Sequence, residues 1–168
     1  KAVMTTIHSV TAEQNIVDGP PPGGKSGDLR RARAAGQNMI PTSTGAAIAT
    51  TETIPELKGK FDGLAVRVPV QDVSMTDFVF LLKKKARVED INAAFVRASK
   101  DKRFKGILTT TTEPLVSSDF IGNSFSAVVD LSLTKVIDGD LVQVIAWYDN
   151  EWGYSCRLVE MAAFIGRR

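Results

Sequence analysis

The chain has 168 residues, 43% of them hydrophobic and 24% charged, with a formal net charge of +2. That length fits one domain with a core of its own, and the even charge balance gives no reason to expect a nucleic-acid or membrane-surface partner. There is no run of about 18 apolar residues to span a bilayer, and the single cysteine, Cys156, rules out an intrachain disulfide and fits a reducing, cytoplasmic setting.

Residues 2–12 are rich in β-branched side chains and predict a strand. It starts at once, with no initiator Met, apolar leader or small-residue cleavage site, so we expect a piece of a longer chain without a signal peptide. Residues 18–37 break the pattern. Asp18-Gly19-Pro20-Pro21-Pro22-Gly23-Gly24-Lys25-Ser26-Gly27-Asp28 predicts neither helix nor central strand, because Pro has no N–H and Gly has no stiffness. A loop of this length in a compact domain is either functional or a flexible linker. The basic run Leu29-Arg30-Arg31-Ala32-Arg33 favours the first.

Ser43 or Thr44 is a plausible cap for a helix opening at Gly45-Ala46-Ala47 and ending before Pro55. Residues 61–70 and 73–84 predict strands, the second so apolar from Phe78 to Leu82 that both its faces should be buried. Val88, Ile91, Phe95 and Ala98 recur at helical spacing over 88–101. Short strands are expected near 106–110, 114–117 and 124–130. Two more, Leu133–Ile137 and Leu141–Tyr148, flank the hairpin signal Asp138-Gly139. A last helix follows Asp149-Asn150, with Tyr154, Leu158, Met161 and Ile165 on one face. Short turns cannot make parallel crossovers. The expected fold is therefore α+β, two layers, with a mainly antiparallel or mixed sheet and helices on one face. No Gly-x-Gly-x-x-Gly follows a strand, so the dinucleotide fingerprint is missing from these residues.

Three groups could carry chemistry. His8, the only histidine, ends a predicted strand; its pKa suits a general base, though a structural histidine would look the same. Arg67 sits mid-strand between Val66 and Val68, where a charge needs an anion: a phosphate or carboxylate ligand, or an ion pair with a neighbouring strand. Thr44-Gly45 at a helix start offers free N–H groups to an anion, a weak signal alone. With Arg30, Arg31 and Arg33 these begin to describe a phosphate-handling surface. The corner Asp149-Asn150-Glu151-Trp152, with Tyr154, is either helix capping and packing or part of a site. Cys156, inside the last helix, reads as a small packed residue, and no side-chain cluster has metal-ligand spacing.

Several motifs together resemble one family. They are Met4-Thr5-Thr6-Ile7-His8-Ser9 through Val17-Asp18-Gly19-Pro20, Leu29-Arg30-Arg31-Ala32-Arg33-Ala34-Ala35, Ile40-Pro41-Thr42-Ser43-Thr44-Gly45-Ala46-Ala47, Pro55-Glu56-Leu57, Val66-Arg67-Val68-Pro69-Val70 and Trp147-Tyr148-Asp149-Asn150-Glu151-Trp152-Gly153-Tyr154-Ser155. In this order and spacing the chain resembles the C-terminal catalytic domain of phosphorylating glyceraldehyde-3-phosphate dehydrogenase. The resemblance implies a reaction in glycolysis in which a cysteine attacks the aldehyde to give a hemithioacetal, hydride passes to NAD, and inorganic phosphate cleaves the thioester to 1,3-bisphosphoglycerate. It implies that His8 is the base, that Thr11 and Arg67 hold the substrate phosphate, and that Arg31, Thr44 and Gly45 hold the inorganic phosphate. Asn150 would orient the nicotinamide carboxamide, with Tyr154 beside it. The loop from about 14 to 37 would line a neighbour's cofactor site in a homotetramer, although Pro20–Asp28 is longer and richer in Gly and Pro than the family's loop.

The resemblance further implies that a Rossmann half and a Ser-Cys-Thr-Thr-Asn segment with the nucleophile precede Lys1. Residues 1–168 alone should then be inactive. NADP stays open beside NAD, because the groups that tell them apart lie near the adenosine ribose. Two other readings remain: erythrose-4-phosphate dehydrogenase, a relative that releases an acid by hydrolysis, and a non-catalytic binding or assembly module.

Overall fold

Strand alternation decides which residues meet. The computed structural model describes residues 1–24 and 27–167, and along them run β1 (Ala2–His8), β2 (Ile40–Thr42), α1 (Ala46–Thr53), β3 (Phe61–Arg67), β4 (Ser74–Leu81), α2 (Val88–Ser99), β5 (Leu108–Thr111), β6 (Ala127–Ile137), β7 (Leu141–Tyr148) and α3 (Trp152–Ile165). The strands form one mixed sheet in the order β2-β3-β1-β4-β7-β6-β5. β1 runs parallel to β3 and β5 parallel to β6, while the remaining neighbours are antiparallel.

Register puts Met4 opposite Phe78, Phe78 opposite Val144 and Ala146 opposite Val129. Directly paired residues share a face, so these side chains lie on one side of the sheet. Both shorter helices pack there. Ala47 of α1 joins Met4 and Phe61. Ile91 and Phe95 of α2 lie on Val129, Val142, Val144 and Ala146, as the helical spacing of 88–101 requires. The α+β arrangement expected from the sequence is the one found.

The other face is partly open. Val3, Leu64, Leu81 and Leu141 are exposed there, and Val3, Val79, Leu81 and Leu141 line a shallow groove. The expectation that Phe78–Leu82 is buried on both faces is therefore corrected: Phe78 and Phe80 point into the core, Val79 and Leu81 away from it. One end of this face is covered, where Phe120 and Val73 pack on Val128 with Trp147 beside them.

Three more boundaries differ from the sequence reading. Residues 114–117 form no strand; Pro114 has no N–H to give, and Asp119 accepts from the Val116 N–H at 2.8 Å to start a short 3-10 turn at Ser117–Phe120. The expected strands at 124–130 and 133–137 are one strand, β6, with a register shift between Asp130 and Lys135. Buried Asp130 holds that irregularity by accepting from Ser132 N–H, Ser132 Oγ and Trp147 Nε1 at 3.1, 2.6 and 3.3 Å. β2, at the sheet edge, was not foreseen: three residues around a proline carry too little pattern, and an edge is where a strand tolerates Pro. The Asp138-Gly139 turn is as expected, both residues being left-handed (φ 47° and 80°).

The long loop is tied down where it is described. Gly19 N–H donates to Ala32 O, Asn15 N–H to Arg31 O, and Asn15 Nδ2 to Pro20 O at 2.9 Å. Asp18 accepts from Ala34 N–H at 2.8 Å and from Arg33 Nε at 2.9 Å. The linker alternative fails for these residues; Lys25 and Ser26, part of the same reading, lie outside the described ones.

Candidate active site

The core face of the sheet ends in a cluster of polar groups. His8 closes β1 and pairs in register with Arg67 at the end of β3. Ser74 opens β4 opposite Tyr148, the last residue of β7. All four share the face that carries the core, one or two pairs beyond its last apolar row. A cavity of about 360 Å³ opens here, lined by His8, Tyr148, Asn150, Gly153, Tyr154 and Arg157 among others.

His8 Nδ1 lies 2.8 Å from Ser9 O. A carbonyl only accepts, so Nδ1 carries the proton and Nε2 keeps its lone pair. Burial lowers the His8 pKa below its ordinary 6.5, and the charge of Arg67 pushes the same way. The Ser9 carbonyl and Glu151 oppose these effects. The net result is a neutral imidazole with a free nitrogen, the state a general base needs. Tyr148 meets it edge-on at 6.3 Å. Burial raises the Tyr148 pKa, so its hydroxyl stays protonated.

Arg67 donates to Thr11 Oγ1 at 2.8 Å and, at 3.5 Å, to Ser9 O. Among the described residues no carboxylate lies within 4 Å of it, and its buried Nε has no partner. The strand ion pair, one of the two readings of Arg67, is not realised. A half-buried guanidinium with an unused donor, held beside a threonine hydroxyl, is a site for an anion. Burial and the nearby charge of Arg31 push its pKa down.

Arg31 is engaged differently. It forms an ion pair with Glu13 through Nη1, donates from Nε to Thr42 Oγ1 at 2.9 Å, and reaches Ser43 O at 3.4 Å. Asp28 sits behind, accepting from Thr42 Oγ1 at 2.8 Å, and this bond together with the Arg30 N–H lowers its pKa. Arg31 is thus fixed just ahead of Thr44-Gly45 and the start of α1. Gly45 is the cap position, with no side-chain bond; Thr44 Oγ1 accepts from Ala46 N–H at 3.2 Å. The expected Ser43 or Thr44 cap is corrected to this shorter, looser start.

The structure separates the loop's other two arginines, Arg30 and Arg33, from this cluster. Arg33 pairs with Asp18, and both Arg30 and Arg33 line a different small groove near Asn38–Pro41.

The corner before α3 is a cap, and it also lines the cavity. The Asp149 carboxylate accepts from Trp152 N–H, Gly122 N–H and Glu151 N–H at 2.6, 2.8 and 2.9 Å. Asn150 Oδ1 receives the hydroxyls of Ser74 and Ser9 at 2.7 and 2.9 Å. Tyr154 stands at the cavity rim, largely exposed. Cys156 is half-buried on α3, away from this cavity's lining. Among the described residues, no group of three His, Cys, Asp or Glu side chains could hold a metal ion.

His8, Thr11, Arg67, Asn150 and Tyr154 therefore converge, and Arg31 adjoins Thr44 and Gly45. Sequence reasoning missed Glu13, Ser9 and Ser74. The serines left no signal in the sequence, being small polar residues in or next to strands. Glu13 had one faint signal, a lone carboxylate five residues from His8.

Comparison with known proteins bears directly on this cluster. The family model for glyceraldehyde 3-phosphate dehydrogenase, C-terminal domain, matches residues 1–150. The glyceraldehyde-3-phosphate dehydrogenase of Mycobacterium avium is 53% identical over 167 residues, covering 99% of this chain and 47% of that protein. The chloroplastic enzyme of Arabidopsis thaliana is 52% identical over 165 residues, covering 98% and 40%. That of Geobacillus stearothermophilus is 49% identical over 168 residues, covering 100% and 48%. The chain spans about half the length of the curated relatives it matches. Identity near one half along nearly every residue, over a fold whose polar strand ends meet in one cavity, settles the membership: this chain belongs to the glyceraldehyde 3-phosphate dehydrogenase C-terminal domain family.

Proposed function

We propose that these residues form the catalytic domain of an enzyme that oxidises and phosphorylates glyceraldehyde 3-phosphate. The observation that carries the reading is Arg67, a half-buried guanidinium with an unpartnered Nε and no carboxylate in reach, paired in register with a neutral histidine. A substrate phosphate on Arg67 and Thr11 would place the reacting carbon of a three-carbon aldehyde near His8. His8 Nε2 would take the proton from the attacking thiol, return it to the aldehyde oxygen as the C–S bond forms, and take it back from that hydroxyl as hydride leaves. A nicotinamide cofactor, NAD by our reading with NADP open, would accept that hydride. The residues fit such a cofactor: Asn150 presents an amide at the cavity and Tyr154 an exposed ring beside it. Inorganic phosphate would use Arg31, Thr44 and Gly45, displacing Glu13 from Arg31.

The same reading takes the whole enzyme to be a cytoplasmic homotetramer, with the nucleophilic cysteine and the nucleotide-binding half supplied by other residues. The apolar, open face of the sheet supports assembly. No helix among the described residues is long and apolar enough to cross a membrane.

A chimera tests the function. These 168 residues replace the matching half of the Geobacillus stearothermophilus relative. We expect reduction of NAD that needs both glyceraldehyde 3-phosphate and phosphate, and a loss of about 10²–10⁴ in turnover for His8→Asn. Oxidation independent of phosphate, with preference for erythrose 4-phosphate, would shift the assignment to the hydrolytic relative. A folded chimera without either oxidation would leave the binding-module reading.

A further inference from the structure

One residue ties the base to the amide at the cavity. The Ser9 carbonyl accepts from His8 Nδ1 at 2.8 Å. Its N–H donates to Ser74 Oγ at 3.2 Å, and its hydroxyl donates to Asn150 Oδ1 at 2.9 Å. Ser74 closes the ring by donating to the same Oδ1 at 2.7 Å. Ser9 is 0% exposed and Ser74 2%, so neither hydroxyl has water as an alternative partner. Asn150 Oδ1 accepts from both hydroxyls, and turning the amide over would take that acceptor away from the two hydroxyl protons.

The consequence lies at the other end of that amide. With Oδ1 held inward by two hydroxyls, Nδ2 is the group left for the cavity, and it has no acceptor among the described residues. We infer that Ser9 and Ser74 are positioning residues that lock the Asn150 carboxamide in one orientation, so that the cavity offers an N–H donor and selects a ligand with a carbonyl acceptor. Building on the reading of Asn150 as the nicotinamide contact, the two serines set which way the ring's carboxamide is held relative to His8. Because Ser9 also fixes the histidine tautomer, base and cofactor contact share one support. An asparagine without this pair could turn over and present its oxygen, and would accept a donor equally well.

The test is nuclear magnetic resonance on the 168-residue chain, following the Asn150 side-chain amide. In the unmodified protein we expect a rigid amide, with an order parameter near 0.85. In Ser9→Ala and in Ser74→Ala, where the backbone spectrum stays native, it should fall below about 0.6, the flexible range. The Asn150 Cγ resonance should move upfield in both as it loses a donor. A mobile Asn150 amide in the unmodified chain overturns the inference without any variant, as does an unchanged order parameter in a folded variant. The N-methylated cations of nicotinamide, 3-acetylpyridine and pyridine, whose ring nitrogen can no longer accept, are then titrated in. The Asn150 amide should respond to the first two, which carry a carbonyl, and not to the third. A rigid amide indifferent to nicotinamide would overturn the cofactor reading and the purpose given to the serines; a mobile one overturns the positioning alone.

Discussion

His8 carries the first prediction, because burial and Arg67 both act on it and no other histidine competes for the signal. Its ring should titrate below 6.5 by proton resonance, and Arg67→Ala should move the midpoint up by removing a nearby positive charge. An unmoved midpoint would separate the two groups that the site requires to be coupled. The sign for stability follows from linkage. The folded pKa lies below the unfolded one, so the contribution of His8 is complete above about pH 6.5 and is lost as pH falls through the folded value. His8, Arg67 and Asn150 could be named as candidates because each is a type that a strand or corner rarely carries without reason. Ser9 and Ser74 were not. Their meaning lies in contacts across 65, 76 and 141 residues of sequence, and nothing local marks them.

At the scale of elements, alternation predicted the strands well and their surroundings less well. β4 shows why. Its run from Phe78 to Leu82 is apolar at every position, which in an isolated domain means burial on both faces. Here Val142 is 1% exposed on the core face, while Leu81 is 49% exposed on the other. Val142→Ala should therefore cost about 1.5–3 kcal/mol in chemical denaturation. Leu81→Ala should cost less than about 0.5 kcal/mol. Equal losses would place both residues in one core and remove the open face. The two strand misreadings have local causes: a proline and a capping carboxylate at 114–119, and a buried Asp130 that bends β6 without breaking it. Val73 shows strain next to the site, with φ 71° in a β-branched residue. It is held there by burial against Phe120 and by its N–H donating to Asp72 Oδ1 at 2.7 Å. This places Ser74, the next residue, behind the cavity with its hydroxyl on Asn150 Oδ1.

Among the described residues two apolar surfaces are left open. One is the sheet face. The other is α3, where Trp152, Leu158, Val159, Met161 and Ile165 are each more than half exposed and Gly153 is the buried position. Surfaces of this kind belong to proteins that bury them against something. We expect the 168-residue chain to self-associate in light scattering, and Leu158→Glu combined with Met161→Glu to lower the apparent mass. A monodisperse monomer of the unmodified chain would count against it.

The polar ends of β1 and β3, as proposed above, hold a phosphate beside His8. The direct measurement is a titration of the 168-residue chain with glycerol 3-phosphate, a three-carbon monophosphate without the reactive aldehyde, at low ionic strength, read from the His8 ring and the arginine Nε resonances. We expect a saturable shift of both. Arg67→Ala should weaken binding by about tenfold or more, the cost of roughly 1.5–3 kcal/mol for a charged hydrogen bond, while Arg33→Ala, already paired with Asp18, should leave it unchanged. A response that never saturates, or one that Arg67→Ala and Arg33→Ala affect alike, would contradict the proposal.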